Sequence, residues 1–343
     1  MLTTTIGAFP KPAEVPITDW FSISDGDYTS AYLDELSTVD DTVLDTAVHT
    51  VVRDQVEAGI DIPTDGEVRR ENYIHYQCRQ LTGIDFADLS YKRMRGTTDT
   101  SLPTVRDNIG LGESLLPRDF LVAQAATTNP VKITVPGPMT IIDSVVDDHY
   151  RDDVALGADI AAAINHHVRA LADAGCTHIQ VDEPVMARKP DVALSHGIEH
   201  LSRCFDGVGS GVTRIAHACC GYPNSLDEID YPKADRGAYL ELADALNAAP
   251  IGQISIEDAH AHNDLETLLP RFADTTIILG LVGIARSRIE TVEEIENRLR
   301  EAIAIHGSDR LIAAPDCGLG YLSREQALAK LRNLSTAARR VTG

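Results

Sequence analysis

The feature that most constrains this chain is an alternation. Short β-branched runs at Thr3–Ile6, Gly59–Pro63, Lys132–Val135, His178–Val181, Val212–Ala216, Gln253–Ile256, Thr276–Leu279 and Leu311–Ala314 are separated by stretches rich in Ala, Leu and Glu. Asp152–Ala174 and Val292–His306 carry helical patterns. Thr291 stands where an N-cap would, and Glu293 and Glu294 suit the positive end of the helix that follows. Such alternation calls for a parallel sheet with right-handed crossovers. Eight steps within 343 residues predict an α/β chain that forms one (β/α)8 TIM barrel over residues 1–343, since such barrels need about 250 residues plus insertions. A doubly wound sheet is the alternative, but no Gly-x-Gly-x-x-Gly opens the first helix. Two stretches exceed a minimal barrel and are expected as insertions after the second and fifth strands. The first, about Glu71–Thr128, is predicted to hold a helix and an extended excursion; the second is Gly221–Pro250, with a helix near Arg236–Asn247.

Charge narrows the partners. Fifty-two acidic residues against 30 basic ones give a formal net charge of −22, which argues against nucleic acid and against an anionic membrane surface. No apolar run approaches the roughly 20 residues of a membrane span, and no basic stretch followed by an apolar one opens the chain, so a cytoplasmic protein is expected. Six cysteines in a chain of this length read as reduced thiols, of which some could bind metal.

In a barrel, chemistry gathers at the carboxyl ends of the strands. Those positions hold Gly7-Ala8, Asp65-Gly66-Glu67, Pro136-Gly137-Pro138, Asp182-Glu183, His217-Ala218-Cys219-Cys220, Glu257-Asp258 and Asp316-Cys317-Gly318. His217 and Cys219 lie one residue apart in a strand-like frame and so project to one face. Cys317 and Glu257, at two other strand tips, would close on them around the mouth. Two thiolates, an imidazole and a carboxylate make a tetrahedral zinc set, although buried packing cysteines would give the same spacing. Cys220 is out of phase with Cys219 and reads as packing, as do Cys78, Cys176 and Cys204 in helical stretches. Glu67 and Asp182 could act as general acid and base, or could bind a substrate ammonium. Asp65 and Glu183 are equally compatible with capping a helix or pairing with a cation. His166, His167, His260 and His262 are expected to be exposed or satisfied locally, and His149 could face the mouth.

Read together, Thr4-Thr5-Ile6-Gly7-Ala8-Phe9-Pro10, Asp65-Gly66-Glu67-Val68-Arg69-Arg70-Glu71-Asn72, Pro136-Gly137-Pro138-Met139-Thr140, Ile179-Gln180-Val181-Asp182-Glu183-Pro184, His217-Ala218-Cys219, Ser255-Ile256-Glu257 and Pro315-Asp316-Cys317-Gly318-Leu319 resemble the catalytic domain of cobalamin-independent methionine synthase. The motifs run in family order from end to end. The resemblance implies a zinc-dependent transfer of a methyl group to the thiol of homocysteine, giving methionine. It places zinc (Zn2+) on His217, Cys219, Glu257 and Cys317, the homocysteine carboxylate against backbone at Ile6, Gly7 and Ala8, and its amino group on Glu67 and Asp182. It implies no catalytic residue beyond the zinc site.

Three departures bear on the donor. The long enzymes of the family carry an additional N-terminal barrel that helps hold polyglutamylated folate, and this chain begins at the catalytic domain. The Trp that stacks on folate there would fall near Ser144, whereas the single Trp is Trp20. The family's Asp-Ile-His after the seventh strand, whose His protonates the departing folate nitrogen, aligns with Gly283-Ile284-Ala285. A cobalt(I) corrinoid leaves without a proton, so the expected donor is a methylated corrinoid, either methylcobalamin or a corrinoid protein. The alternatives are methyl-tetrahydrofolate as donor, or coenzyme M as acceptor, which Glu67 and Asp182 disfavour because coenzyme M has no ammonium. A non-catalytic zinc or amino-acid binding protein is the remaining one.

Overall fold

The computed structural model describes residues 1–21, 28–94, 98–228, 233–235 and 237–342. Its strands are β1 (Leu81–Met94), β2 (Thr98–Leu111), β3 (Lys132–Pro136), β4 (Val146–Asp147), β5 (His178–Asp182), β6 (Thr213–Ala218), β7 (Gln253–Ile256), β8 (Thr276–Val282) and β9 (Leu311–Pro315). Six of them form one sheet in the order β3-β5-β6-β7-β8-β9, every neighbouring pair parallel. Helices separate the strands, among them Asp153–Asp173, Gly237–Ala248 and Val292–His306. The caps are those that the residue types favour. Asp152 accepts from the amides of Val154 and Ala155, and Thr291 forms a reciprocal capping box with Glu294. The α/β class is therefore observed, and the helix expected near 236–247 is present from Gly237, Arg236 lying outside the described residues.

The two runs expected as the first and second strands are not ladders. They meet their neighbours through isolated parallel bridges: Thr3 with Ala313 on β9, Thr4 with Ile62, and Thr64 with Lys132 on β3. Main-chain bonds join them (the amides of Thr4, Ile62 and Lys132 donate to the carbonyls of Ala313, Thr3 and Pro63), and side chains add to the pairing. The Thr4 hydroxyl donates to the Ile62 carbonyl (2.8 Å), and the Gln55 side chain both accepts from the Thr64 amide and donates to the Thr64 carbonyl. Local side-chain bonds of this kind compete with a regular ladder. The continuous sheet thus has six strands where eight were expected.

The long stretch after the second run holds the helix Tyr73–Cys78, then the antiparallel hairpin β1–β2, then the helix Leu116–Gln124. β4 pairs with β2 and not with the central sheet. The hairpin is pinned by Lys92, whose ammonium donates to the carbonyls of Ile142, Asp143 and Val145 at the end of the helix Pro138–Asp143. A cation there suits the negative end of that helix.

Ile6, Ile215, Ile278, Ile312 and Ala314 form an apolar cluster separate from the main core, and Cys317 packs against it. Beside this floor stand Thr134 and Gln180, both buried. Register aligns Asp182 with His217 and His217 with Ser255 across β5, β6 and β7, so polar side chains stand in one row at the carboxyl ends of these strands. Among the described residues, no helix is long and apolar enough to cross a membrane.

Candidate metal and substrate site

A cleft of about 260 Å³ opens at this end of the sheet. Ile6, Gly7, Ala8, Glu67, Asp182, His217, Cys219 and Cys317 line it; Glu257, the ninth predicted site residue, does not.

The soft donors converge first. The end of β6 presents His217 and Cys219, and the segment after β9 presents Cys317. One donor atom from each lies within 4.8 Å of the others. The Nδ1 of His217 is 3.0 Å from the Ser255 hydroxyl, which leaves Nε2 towards Cys317, 3.3 Å from its Sγ. A partner on one ring nitrogen that aims the other is the usual support of an imidazole ligand. The hydrogen bond between the thiols holds Cys219 well below the ordinary thiol range and Cys317 well above it. Burial works to lower His217, but its hydrogen bond with Cys219 and that residue's charge raise it on balance. One imidazole and two sulfurs could hold a soft, tetrahedral ion and would leave one of its four positions to another ligand.

Glu257 follows β7, but its carboxylate turns elsewhere. Oε1 accepts from the Lys233 ammonium at 2.6 Å and Oε2 from the Cys220 amide at 3.1 Å. The structure therefore groups three of the four predicted ligands and engages the fourth with Lys233. Asp316, just before Cys317, accepts from the amides of Asp258, Ala259 and His260, fastening the loop after Glu257 to the end of β9. Burial pushes its carboxyl up to about 7.

The carboxylates occupy the other wall. Glu67 has a positive φ of 56°, a left-handed backbone that a non-glycine residue adopts at a cost. Gly7 lets the backbone approach it closely: a Cβ there would sit 2.7 Å from Glu67 Oε1 and push that carboxylate aside. That oxygen accepts from the Thr134 hydroxyl at 2.8 Å and lies 3.6 Å from Arg70. Burial pushes Glu67 up to about 7, with the charges of Asp65 and Asp182 adding to the rise. Burial likewise pushes Asp182, which accepts from Gln180, up to about 6. Two buried carboxyls held near neutrality would gain from a cation placed between them. The carbonyls of Ile6, Gly7 and Ala8 accept from Gln180, Thr64 and Leu319, whereas among the described residues the amides of Gly7 and Ala8 have no acceptor.

Several neighbours escaped sequence reasoning. Trp20, Phe21 and Tyr222 line the cleft, and with Tyr321 they form a ring cluster whose centroids lie between 4.1 and 6.1 Å apart. Tyr222 is fixed by donating to the Gly318 carbonyl at 2.6 Å. Nothing in the spacing of Trp20 pointed here; Ser255, by contrast, stood two residues before Glu257 with the parity that faces His217. Other candidates lie apart. His149 is exposed and bonds Asn108. Asp65 pairs with Arg70, and Glu183 accepts from the amides of Met139 and Thr140. Cys220 is buried, its thiol pushed up to about 12 chiefly by burial. His167 is buried against Gln77, and Cys176 sits in the connection just before β5 instead of in a helix.

A sequence model described as "Cobalamin-independent synthase, Catalytic domain" matches residues 1–340. The methionine synthase of Saccharolobus islandicus is 31% identical over 336 residues, covering 96% of this chain and 91% of that protein. Its counterpart in Saccharolobus solfataricus is 30% identical with the same coverage. Among solved structures, a B12-independent methionine synthase from a Shewanella species, in complex with selenomethionine, superposes with a TM-score of 0.86 at 30% identity, covering 99% of this chain and 97% of that one. A putative vitamin-B12 independent methionine synthase from Listeria monocytogenes shares the fold, with a TM-score of 0.71 at 18% identity and coverage of 100% and 99%. The chain belongs to the cobalamin-independent methionine synthase family, matching its catalytic domain, and is a methyltransferase of methionine biosynthesis.

Proposed function

We propose that the enzyme transfers a methyl group to the thiol of L-homocysteine, with Zn2+ held by His217, Cys219 and Cys317. The observation that carries this reading is the meeting, in one cleft, of three soft donors within 4.8 Å and two buried carboxyls facing the same space. Bound there, zinc would supply a Lewis acid that turns a thiol of pKa near 8.5 into a nucleophile at neutral pH. The protein's own residues do the positioning. Glu67 and Asp182 take the ammonium of the amino acid, and the amides of Gly7 and Ala8 take its carboxylate. Fixing both charged ends leaves the sulfur only a short range of positions, and this orientation supplies much of the rate. The relative from Shewanella is described as a complex with selenomethionine, the selenium analogue of the product, which agrees with an amino-acid acceptor.

Methyl-tetrahydrofolate is the donor the reading favours. The matching family is described as cobalamin-independent, and the Shewanella relative as B12-independent, which weighs against the corrinoid donor expected from the departures at Ser144 and Ala285. Trp20, Phe21 and Tyr222 also bring aromatic surface to the cleft, against which a heteroaromatic ring can pack. In the same reading, residues 1–343 form one unit, and the bridged segments at 3–4 and 62–64 complete an eight-stranded (β/α)8 barrel between β9 and β3.

The test is an assay of zinc-loaded enzyme with homocysteine and each donor. Methionine formed from methyl-tetrahydrofolate is expected. Turnover from methylcobalamin alone would restore the corrinoid donor, and methylation of coenzyme M in preference to homocysteine would replace the acceptor.

A further inference from the structure

The two walls of the cleft meet at a side chain that no motif singled out. Tyr73 follows Glu67 by six residues and lines the cleft together with Glu67, Asp182, Cys219 and Cys317. The helix it opens is anchored on either side of it. The Asn72 side chain accepts from the amides of Ile74 and His75, and the Tyr76 hydroxyl donates to Asp119 at 2.7 Å. Tyr73 is only half-buried, and its open part faces the space of the cleft. Burial raises its phenol well above the ordinary 10, and the charges of Asp182, Cys317, Cys219 and Glu67 add to the rise, so both walls act on one hydroxyl. A phenol shielded from water usually finds a partner. Tyr32, Tyr76, Tyr150, Tyr222 and Tyr239 do so, each bonding a carbonyl, a carboxylate or an amide. Among the described residues, the Tyr73 hydroxyl has none.

We infer that Tyr73 touches the methyl acceptor directly, its hydroxyl donating a hydrogen bond to the acceptor's sulfur. This rests on the homocysteine reading above and adds to it a third hold on the substrate, at the atom that takes the methyl group. Chemistry selects that atom. A phenol at neutral pH has a proton to donate, and what it needs is an acceptor. The ammonium of the amino acid is itself a donor and goes to Glu67 and Asp182; the carboxylate goes to the amides of Gly7 and Ala8. The sulfur is the acceptor that remains, and it belongs on the side of Cys219 and Cys317, whose charges reach Tyr73. A hydroxyl that donates to a thiolate makes a charge-assisted bond, stronger than one between neutral groups. With all three ends held, the attacking lone pair has little freedom left, which is how orientation becomes rate.

The experiment measures ligand binding to the zinc-loaded whole chain by calorimetry, with no methyl donor present. Two probes share both charged ends: L-homocysteine, and L-2-aminobutyrate, which is homocysteine without its sulfur. Tyr73→Phe removes the hydroxyl and keeps the ring. It is expected to weaken homocysteine binding roughly tenfold or more, the scale of one hydrogen bond to a charged atom, and to leave aminobutyrate within about twofold of wild type. Metal content should stay the same. Tyr73→Leu replaces Tyr73→Phe should the latter not fold, a larger loss for homocysteine than for aminobutyrate being the expected reading. Equal losses for the two probes would overturn the inference, as would no loss for homocysteine; a residue that merely packs gives one or the other. A wild-type chain that binds no homocysteine would instead refute the proposed acceptor, and the inference with it, so the two failures are told apart.

Discussion

On one wall of the cleft, His217, Cys219 and Cys317 bring an imidazole and two sulfurs within 4.8 Å of each other. On the other, Glu67 and Asp182 bring two carboxyls that burial holds at about 7 and about 6. Both walls concentrate lone pairs, and both are completed by a positive charge, but they are supported differently. Cys317 of the sulfur wall packs on apolar Ile6, Ile215, Ile278 and Ile312, and each of the three residues there supplies one donor atom. The carboxyl wall sits in a web of Thr134, Arg70 and Gln180 that remains when one member is altered. The sulfur wall should therefore fail all at once, and the carboxyl wall by degrees.

The largest effect tests the first half of that contrast. Replacing His217, Cys219 or Cys317 by Ala should empty the site of metal and reduce turnover by more than the roughly hundredfold that changes around a metal's ligands cost. Metal content by mass spectrometry, measured beside turnover, checks this; a Cys317→Ala protein that keeps one tightly bound zinc would erase the distinction between the walls. Next, Glu67→Gln and Asp182→Asn should each keep the metal and raise the KM for homocysteine by roughly 10- to 100-fold, the value of one charge-assisted hydrogen bond. Loss of metal in either variant would mean that the walls are one unit.

The pH dependence sharpens the second half. Glu67 binds its proton more tightly in the fold, at about 7, than at its ordinary 4.5. Ionising it therefore costs the ligand-free protein stability, a penalty that is absent below 4.5, grows as the pH rises and is complete above about 7. Glu67→Gln should accordingly be more thermally stable than wild type at pH 8 while binding homocysteine worse. Melting curves at pH 5 and pH 8 decide it, the gain being expected only at the higher pH. In the wild type, an ionised pair is needed to take the ammonium, so homocysteine kcat/KM should fall as the pH drops from about 7 to about 6. A smaller effect belongs to the rim: Trp20→Ala should raise the KM for the methyl donor roughly 2- to 10-fold and leave the KM for homocysteine alone, as loss of one aromatic contact would. Smallest of all, Cys220→Ala should change neither metal content nor turnover, although Cys220 adjoins Cys219.

Much of this architecture was legible because strand ends are punctuated by chemistry. Six of the eight expected strands are present, five of them where β-branched runs stop at Asp, His, Glu or Pro, and the helix at 292–306 begins at its Thr291 cap. The first two runs lie where they were expected but as bridged segments, not ladders, because Thr4 and Gln55 carry hydrogen bonds that a ladder would otherwise make, a competition that composition does not reveal. The hairpin β1–β2 was foreseen only as an excursion, since its pairing depends on a register of 14-residue strands with shifts in it. The three proposed ligands were readable from parity and strand ends. The orientation of Glu257 was not, because it depends on Lys233, 24 residues away, in a loop without a pattern of its own. Trp20 likewise reaches the cleft through tertiary packing on Phe21, Tyr222 and Tyr321.

The contact between Cys317 and His217 spans 100 residues of chain. An ion shared by these two side chains is thus also a cross-link, closing a loop as long as a small domain. By the chain-entropy estimate used for disulfides, tying off a loop of that length withdraws about 4 to 5 kcal/mol of freedom from the unfolded chain. Part of the ion's affinity is then spent on the fold itself. For the proposed zinc form, chelators should lower the melting temperature as well as the activity.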